Sequence, residues 1–297
     1  MKLDPRWIVL DLTDCNDGDL MVHSIAAIPC QKSLRRAVKS GLLRLDRDGY
    51  QAVLEFAQTR RYIGPVAHAE HHVVEHPEYG PTAIAIWLHH SPPTARPVLN
   101  SWVLDLEELT TVTAGDDVSL MADGRHPGEH RPIQDLWRFL KPADAATLVS
   151  RYQHAIGDPD NTWTGIEWTL ALPGSPPLHM FSGGRLRIKG DRRTIVGTSV
   201  VLHERTDVAR DLMADLVEFA SITLAIVNRQ ARSAVTTVGS DAPLSYEALK
   251  TLVTEYDLYA TGTFPVTLDN NAFEAQVVPI ADPDDGPATV MLRRTGD

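Results

Sequence analysis

The chain has 297 residues, 43% hydrophobic and 23% charged, with 28 Lys and Arg against 39 Asp and Glu for a net charge of -11. This composition excludes a wholly disordered chain and suffices for two or three small domains, while the acidic balance argues against a nucleic-acid partner, whose phosphates need Lys and Arg. Two cysteines, Cys15 and Cys30, are too few for a secreted disulfide framework, and no run reaches the ~20 apolar residues that span a bilayer.

The start, Met1-Lys2-Leu3-Asp4-Pro5-Arg6, lacks a signal peptide's apolar core, so a cytoplasmic protein with no membrane partner is expected. Trp7-Ile8-Val9-Leu10-Asp11-Leu12 reads as a strand, and residues 20–28 as a second, ended by Pro29. Residues 33–43 and 48–59 carry apolar side chains at helical spacing (Leu34, Val38, Leu42; then Tyr50, Val53, Leu54, Ala57), with Ser33 as a cap. Residues 62–74 and 82–90 form a hairpin across His76-Pro77-Glu78-Tyr79-Gly80-Pro81. On the first of these strands alternation places His68, Glu70, His72 and His76 on one face, and His89 and His90 return on the second. Imidazoles beside a carboxylate suit zinc or a similar ion, so His68, His72 and His89 are candidate metal ligands; a solvated polar face is the competing reading.

Ser91-Pro92-Pro93-Thr94-Ala95-Arg96-Pro97 reads as a linker, because proline removes amide donors and extends the backbone. A first domain, 1–95, ends there. Trp102-Val103-Leu104-Asp105-Leu106 repeats the Trp-to-Leu-Asp-Leu pattern of residues 7–12, a hint of duplication. After a polar stretch, 115–131, expected as loop, come Phe139-Leu140-Lys141-Pro142-Ala143-Asp144 and a helix-spaced segment carrying His154. Three strand-like runs follow: 163–172, 178–188 and 194–203.

The order of these pieces resembles a PAS domain with its trailing PAC segment. Residues 102–106 are similar to that family's first strand, and 139–144 to its His-Pro-x-Asp run. Gly183-Gly184-Arg185, Gly190-Asp191-Arg192 and Ile195-Val196-Gly197-Thr198-Ser199 are similar to its closing hairpin and strand. Where the family carries an Asp-Ile-Thr-Glu-Arg run leading to an output domain, this chain reads Val201-Leu202-His203-Glu204-Arg205. The resemblance implies a PAS domain at 96–205 with a cavity lined by Trp102, Leu104, Trp137, Phe139, Trp168, Leu170, Phe181 and Arg185. Aromatic side chains also serve plain core packing. No Cys lies within this stretch, so the flavin-adduct chemistry of the family's photoreceptors is not expected, and the cofactor is left unknown.

Thr206 and the acids Asp207 and Asp211 suit a helix start, and two adjacent apolar stripes, Leu212, Leu216, Phe219, Thr223, Ile226 and Met213, Val217, Ala220, Leu224, Val227, predict one long helix over 207–235, either packed in a core or forming a homodimer. Residues 244–256 then read as a helix and 262–268, 272–280 and 288–294 as strands, making a third domain, 206–297, similar to a truncated GAF or PAS unit. The expectation is an α+β protein of tandem sensor modules with one long connecting helix. P-loop, Gly-x-Ser-x-Gly and cyclase signatures are missing from the sequence. A non-enzymatic sensor or scaffold binding a small ligand or a signalling protein is therefore expected, with a metal-binding hairpin or a transcription regulator as alternatives.

Overall fold

The computed structural model describes residues 1–14, 20–116, 124–133, 139–140, 142–170, 174–202, 222–229, 232–239, 244–279 and 287–295. They form three antiparallel sheets in chain order. The first contains β1 (Ile8–Asp11), β2 (Met21–Ile25), β3 (Ile28–Ser33), β4 (His68–His76) and β5 (Gly80–His89), in the order β3-β2-β1-β5-β4. The second runs β8-β7-β6-β11-β10-β9, from β6 (Leu99–Asp105), β7 (Thr110–Gly115), β8 (His130–Pro132), β9 (Trp163–Leu170), β10 (Leu178–Lys189) and β11 (Arg192–Val201). The third runs β13-β12-β16-β15-β14, from β12 (Ile222–Asn228), β13 (Ser233–Gly239), β14 (Thr263–Leu268), β15 (Asn271–Pro279) and β16 (Pro287–Arg294). In all three the first strand lies between the second and the last.

Among the described residues strand far outweighs helix, so the expected α+β plan organised around a long helix is corrected to a mostly antiparallel one with short helices. Of the expected helix 207–235, residues 207–221 lie outside the described set, and 222–228 and 233–239 are strands. The cause is burial on both faces. Ile222, Leu224 and Ile226 of β12 pack into the core of the second sheet, while Ala225 and Val227 pack into that of the third. A strand buried on both sides reads as a continuous apolar run, which helical stripes also fit. Of the stripes that carry the expected homodimer seam, Leu224, Ile226 and Val227 pack internally, and residues 212–220 lie outside the described residues.

The described helices are local. In α1 (Leu34–Lys39) the Ser33 hydroxyl accepts from the Arg36 amide at its start. In α2 (Arg47–Thr59) Asp46 accepts from the amide of Gly49 at 2.8 Å, and Arg60 ends the helix in a left-handed conformation. Both cover one face of the first sheet, against Ile8, Leu10, Ile84 and Ile86. The opposite face, with Trp7, Val9, Ala83, Ala85 and Trp87, packs on Leu99, Phe181, Val200 and Leu202 of the second sheet and its border. Successive side chains of a strand point to opposite faces, so each of these strands serves two cores. Beyond the second sheet lie α3 (Pro142–Gly157) and β12 of the third. The helix α4 (Tyr246–Glu255), capped by Ser245, packs Ala248, Leu249, Leu252 and Val253 on the third sheet. On the edge strand β14 the Tyr256 hydroxyl accepts from the Thr267 amide at 2.8 Å and donates to its carbonyl at 3.3 Å, covering groups that would otherwise invite another strand.

The proline-rich segment after β5 is strapped down. The Trp7 and Trp87 indoles donate to the carbonyls of Thr94 (2.9 Å) and Ser91 (3.1 Å), and Arg96 pairs with Asp116 at 2.5 Å. The two tryptophan-led strands also differ in phase. Trp7 faces the second sheet, whereas Trp102 faces away from the first. Their aspartates do correspond. Asp11 accepts from the Thr13 amide and Asp105 from the Glu107 and Glu108 amides, and each takes an arginine of the β10–β11 hairpin, Arg185 and Arg192.

Candidate functional site

The second sheet has a proximal face against the first sheet and a distal face toward α3 and β12. Register fixes which residues share the distal face. One row crosses β7, β6, β11, β10 and β9 as Thr113, Trp102, Gly197, Gly184 and Thr164. The next reads Asn100, Ser199, Ser182 and Ile166 across β6, β11, β10 and β9. The centre of this face is thus built from glycine and serine. A methyl on Gly197 would lie 2.4 Å from the Gly183 carbonyl oxygen and 2.6 Å from Cζ2 of Trp102. Glycine is required there because the neighbouring backbone and an indole occupy the space a side chain would take.

Indoles flank this floor. Trp168 Nε1 donates to Ser182 Oγ at 2.7 Å, and Ser182 Oγ lies 2.5 Å from Ser199 Oγ. On the other side Trp102 Nε1 is buried with no hydrogen-bond partner. On β6 the alternation is uneven: Ser101 and Val103, facing the first sheet, are buried, whereas Trp102 and Leu104 on the distal face stay partly exposed although β6 is an interior strand. The distal face is therefore less fully covered over β6 than over β10 and β11, whose Ser182, Gly184, Gly197 and Ser199 are buried. At the Thr113 end the Arg125 guanidinium, in a residue only 3% exposed, approaches Thr113 Oγ1 at 3.4 Å.

The cover is anchored by the segment resembling the His-Pro-x-Asp run. Leu140 bridges to Leu170, and the buried Asp144 carboxylate accepts from the Thr169 amide of the edge strand β9 at 2.9 Å. Phe139, Leu140, Leu148 and Ile156 line the cover, joined by Ile222, Leu224 and Ile226 of the third sheet.

Of the residues expected around a cavity, Trp102, Leu104, Phe139, Trp168 and Leu170 gather on this distal face. Trp137 lies outside the described residues. Phe181 and Arg185 face the other way. Phe181 is fully buried in the layer between sheets, its ring 4.7 Å from that of His23 and 6.3 Å from that of Trp163. Arg185 reaches Asp11 (3.2 Å), Asp14 (3.6 Å) and the Asn161 carbonyl (3.3 Å), and Arg187 donates to Asn161 and to the Thr13 carbonyl. Arg185, through ion pairs, and Arg187, through hydrogen bonds, join the first two sheets. Arg125, Ser182 and Ser199 are what sequence reasoning missed. The hydroxyls had a signal, since Ser182 and Ser199 sit within two residues of Gly183, Gly184 and Gly197; Arg125 had none.

In the same layer between sheets His23 Nε2 donates to the Thr198 carbonyl at 2.8 Å. Burial drives its pKa down to about 4, against the opposing influence of that carbonyl and of the Asp11 charge.

The histidine hairpin does not converge on a metal centre. His68 and His89 are cross-strand partners, but His89 Nδ1 bonds Ser91 Oγ at 2.7 Å and His72 Nε2 lies 2.8 Å from Asp116. No group of three or more metal-ligating side chains occurs among the described residues. Burial raises the pKa of Asp116, but the bonds from Arg96 and the Leu99 amide and the charges of His72 and Arg96 outweigh it and hold the carboxylate below its usual range. His154 on α3 is solvent-exposed.

No family model matches the chain, and no curated protein matches it. Among solved structures it is similar to an uncharacterized protein from Mycobacterium tuberculosis, at 14% identity and a TM-score of 0.60, over 98% of this chain and 97% of that one. The three-sheet fold is therefore shared end to end. Further neighbours are an RNA-binding light-oxygen-voltage receptor (10% identity, TM-score 0.29, 66% of this chain and 95% of that one) and the ligand-binding domain of a Pseudomonas aeruginosa amino acid chemoreceptor in complex with GABA (10%, 0.22, 65% and 73%). Their superposition is too slight to carry an argument. No helix among the described residues is long and apolar enough to cross a membrane.

Proposed function

We propose that this chain is a non-catalytic sensor built from PAS-like modules, which holds a small molecule on the distal face of its second sheet. The observation that carries this reading is the uneven burial of β6, with Trp102 and Leu104 left partly open above a floor of Gly184, Gly197, Ser182 and Ser199. A small-residue floor with indole walls and a few fixed polar groups is the make-up of a ligand site. The hydroxyls of the site bond each other and an indole N–H, and neither partner is a base able to activate them. A response has a route outward. Side chains of β12 form part of the cover, and Asn228 at its end donates to the Glu107 carbonyl of the second sheet, so a molecule displacing that cover shifts the third sheet against the second.

Native mass spectrometry of the freshly purified protein, followed by thermal-shift screening of small metabolites, tests this. A retained or stabilising molecule is expected, lost in Leu104→Trp, which fills the opening. A protein that is neither loaded nor stabilised by any compound would refute the reading.

A further inference from the structure

We propose that the helical layer of the first sheet docks on an anionic membrane surface, with Leu42 and Ile63 entering the bilayer and Arg60 and Arg61 lying among its headgroups. Residues 20–61 carry eight Lys and Arg against three Asp and Glu, and residues 20–45 hold no acid at all. In a chain of net charge -11 that segment stands at +5, which leaves -16 on the other residues. The segment builds β2, β3, α1 and α2, and the two helices cover one face of the first sheet. Their charged sides turn outward: Arg36, Lys39, Arg44, Arg47, Arg60 and Arg61 are all exposed. Of the three acids, Asp46 is engaged by the amides of Lys2 and Gly49 and by the Met1 ammonium, which leaves Asp48 and Glu55.

Exposed apolar side chains gather on the same part of the molecule. Met1, Ile28, Leu42 and Ile63 are exposed, Ile63 by 97%. The N-terminal segment ties them together. The hydroxyl of Tyr62, next to Ile63, lies 4.0 Å from Met1 Sδ, and Arg6 donates to the Leu42 carbonyl at 2.6 Å. The Trp7 carbonyl accepts at 2.9 Å from the amide of Ala26, in the turn that leads to Ile28. From Met1 to Trp7 the chain spans at most about 20 Å, so the four lie along one rim. They project singly, with cations between them: Lys39 and Arg44 flank Leu42, and Arg60 and Arg61 precede Ile63. A protein interface has a contiguous apolar core depleted of charged residues. A bilayer instead takes separate apolar side chains into its acyl boundary while the cations stay with anionic headgroups. The acids elsewhere do not cancel this attraction, because beyond a Debye length of about 10 Å their repulsion is screened.

Co-sedimentation of the full chain with vesicles of phosphatidylcholine, alone and mixed with phosphatidylserine, tests this. The chain is expected to sediment with the mixed vesicles, not with phosphatidylcholine alone, and to be released by salt. A cation at such a surface strengthens binding about fivefold, so Arg60→Gln together with Arg61→Gln should weaken it about 25-fold. Ile63→Ser should weaken it about tenfold or more. Tm should stay unchanged in these variants, whose replaced side chains are exposed. Equal sedimentation with phosphatidylcholine alone, or binding indifferent to either variant, overturns the proposal. So does a chain that sediments with neither vesicle, and its retention on immobilised polyglutamate would then assign the cations to an acidic protein.

Discussion

Replacing Arg185 with methionine distinguishes a joint between sheets from a ligand contact. Arg185 is 13% exposed at the side chain, and its partners Asp11 and Asp14 are 6% and 7% exposed. At 3.2 Å and an effective dielectric of about 20, the direct attraction between Arg185 and Asp11 is about 5 kcal/mol before desolvation is subtracted. Removing one member of such a pair strands the other, at about 3–5 kcal/mol. The low end applies, because Asp11 keeps the Thr13 amide and hydroxyl at 2.8 and 2.6 Å and Asp14 keeps Asn161 at 2.6 Å. A loss of about 3 kcal/mol is therefore expected. With an unfolding entropy of about 2.1 cal/mol/K per residue, a chain of 297 residues loses about 5 °C in Tm. Guanidinium unfolding followed by tryptophan fluorescence measures it, with Asp11→Asn and the double variant completing a cycle in which the two losses are less than additive. A change under about 0.5 kcal/mol for Arg185→Met would show the joint to be unimportant. A stabilised variant with weakened ligand binding would turn Arg185 back toward the ligand.

Lowering the pH should weaken the protein through His23. Its folded pKa of about 4 lies below the unfolded value of about 6.5, so the unfolded chain binds the extra proton first. Stability is full above the unfolded value and is lost as pH falls toward the folded one, by about 3 kcal/mol; in His23→Gln the difference between pH 7 and pH 4 should shrink by that amount in denaturant titrations. Asp144→Ala should cost about 1.5–3 kcal/mol by removing the charged acceptor of the buried Thr169 amide, and hydrogen exchange at Thr169 should accelerate; unchanged protection there would contradict the anchoring role. Ala26→Gly should stabilise by about 0.5–1 kcal/mol, since Ala26 sits at a φ of 49° in the two-residue turn between β2 and β3, and relief of that strain exceeds glycine's entropy in the unfolded chain. The same change at Ala27 should bring no gain, because its methyl is buried in the layer between sheets.

Local chemistry was legible in the sequence. Apolar alternation and turn residues located the 68–90 hairpin, Asp11 and Asp105 ended matching strands, Ser33 capped a helix, and the glycines of the β10–β11 hairpin marked where backbones close up. Each depends on interactions within a few residues. What lies over each face was decided by the tertiary structure. Residues 222–228 look helical because both sides of β12 are apolar, and they are apolar because two different sheets bury them. Phe181 and Arg185 were grouped with Trp168, yet a one-residue step along a strand reverses the face, and an arginine finds its partner by packing: Asp11 is 174 positions from Arg185, while Arg125, from a stretch read as loop, comes to lie beside Thr113. Sequence spacing records the period of an element; only the stacking of three sheets sets which side of that period meets water, a carboxylate or another sheet.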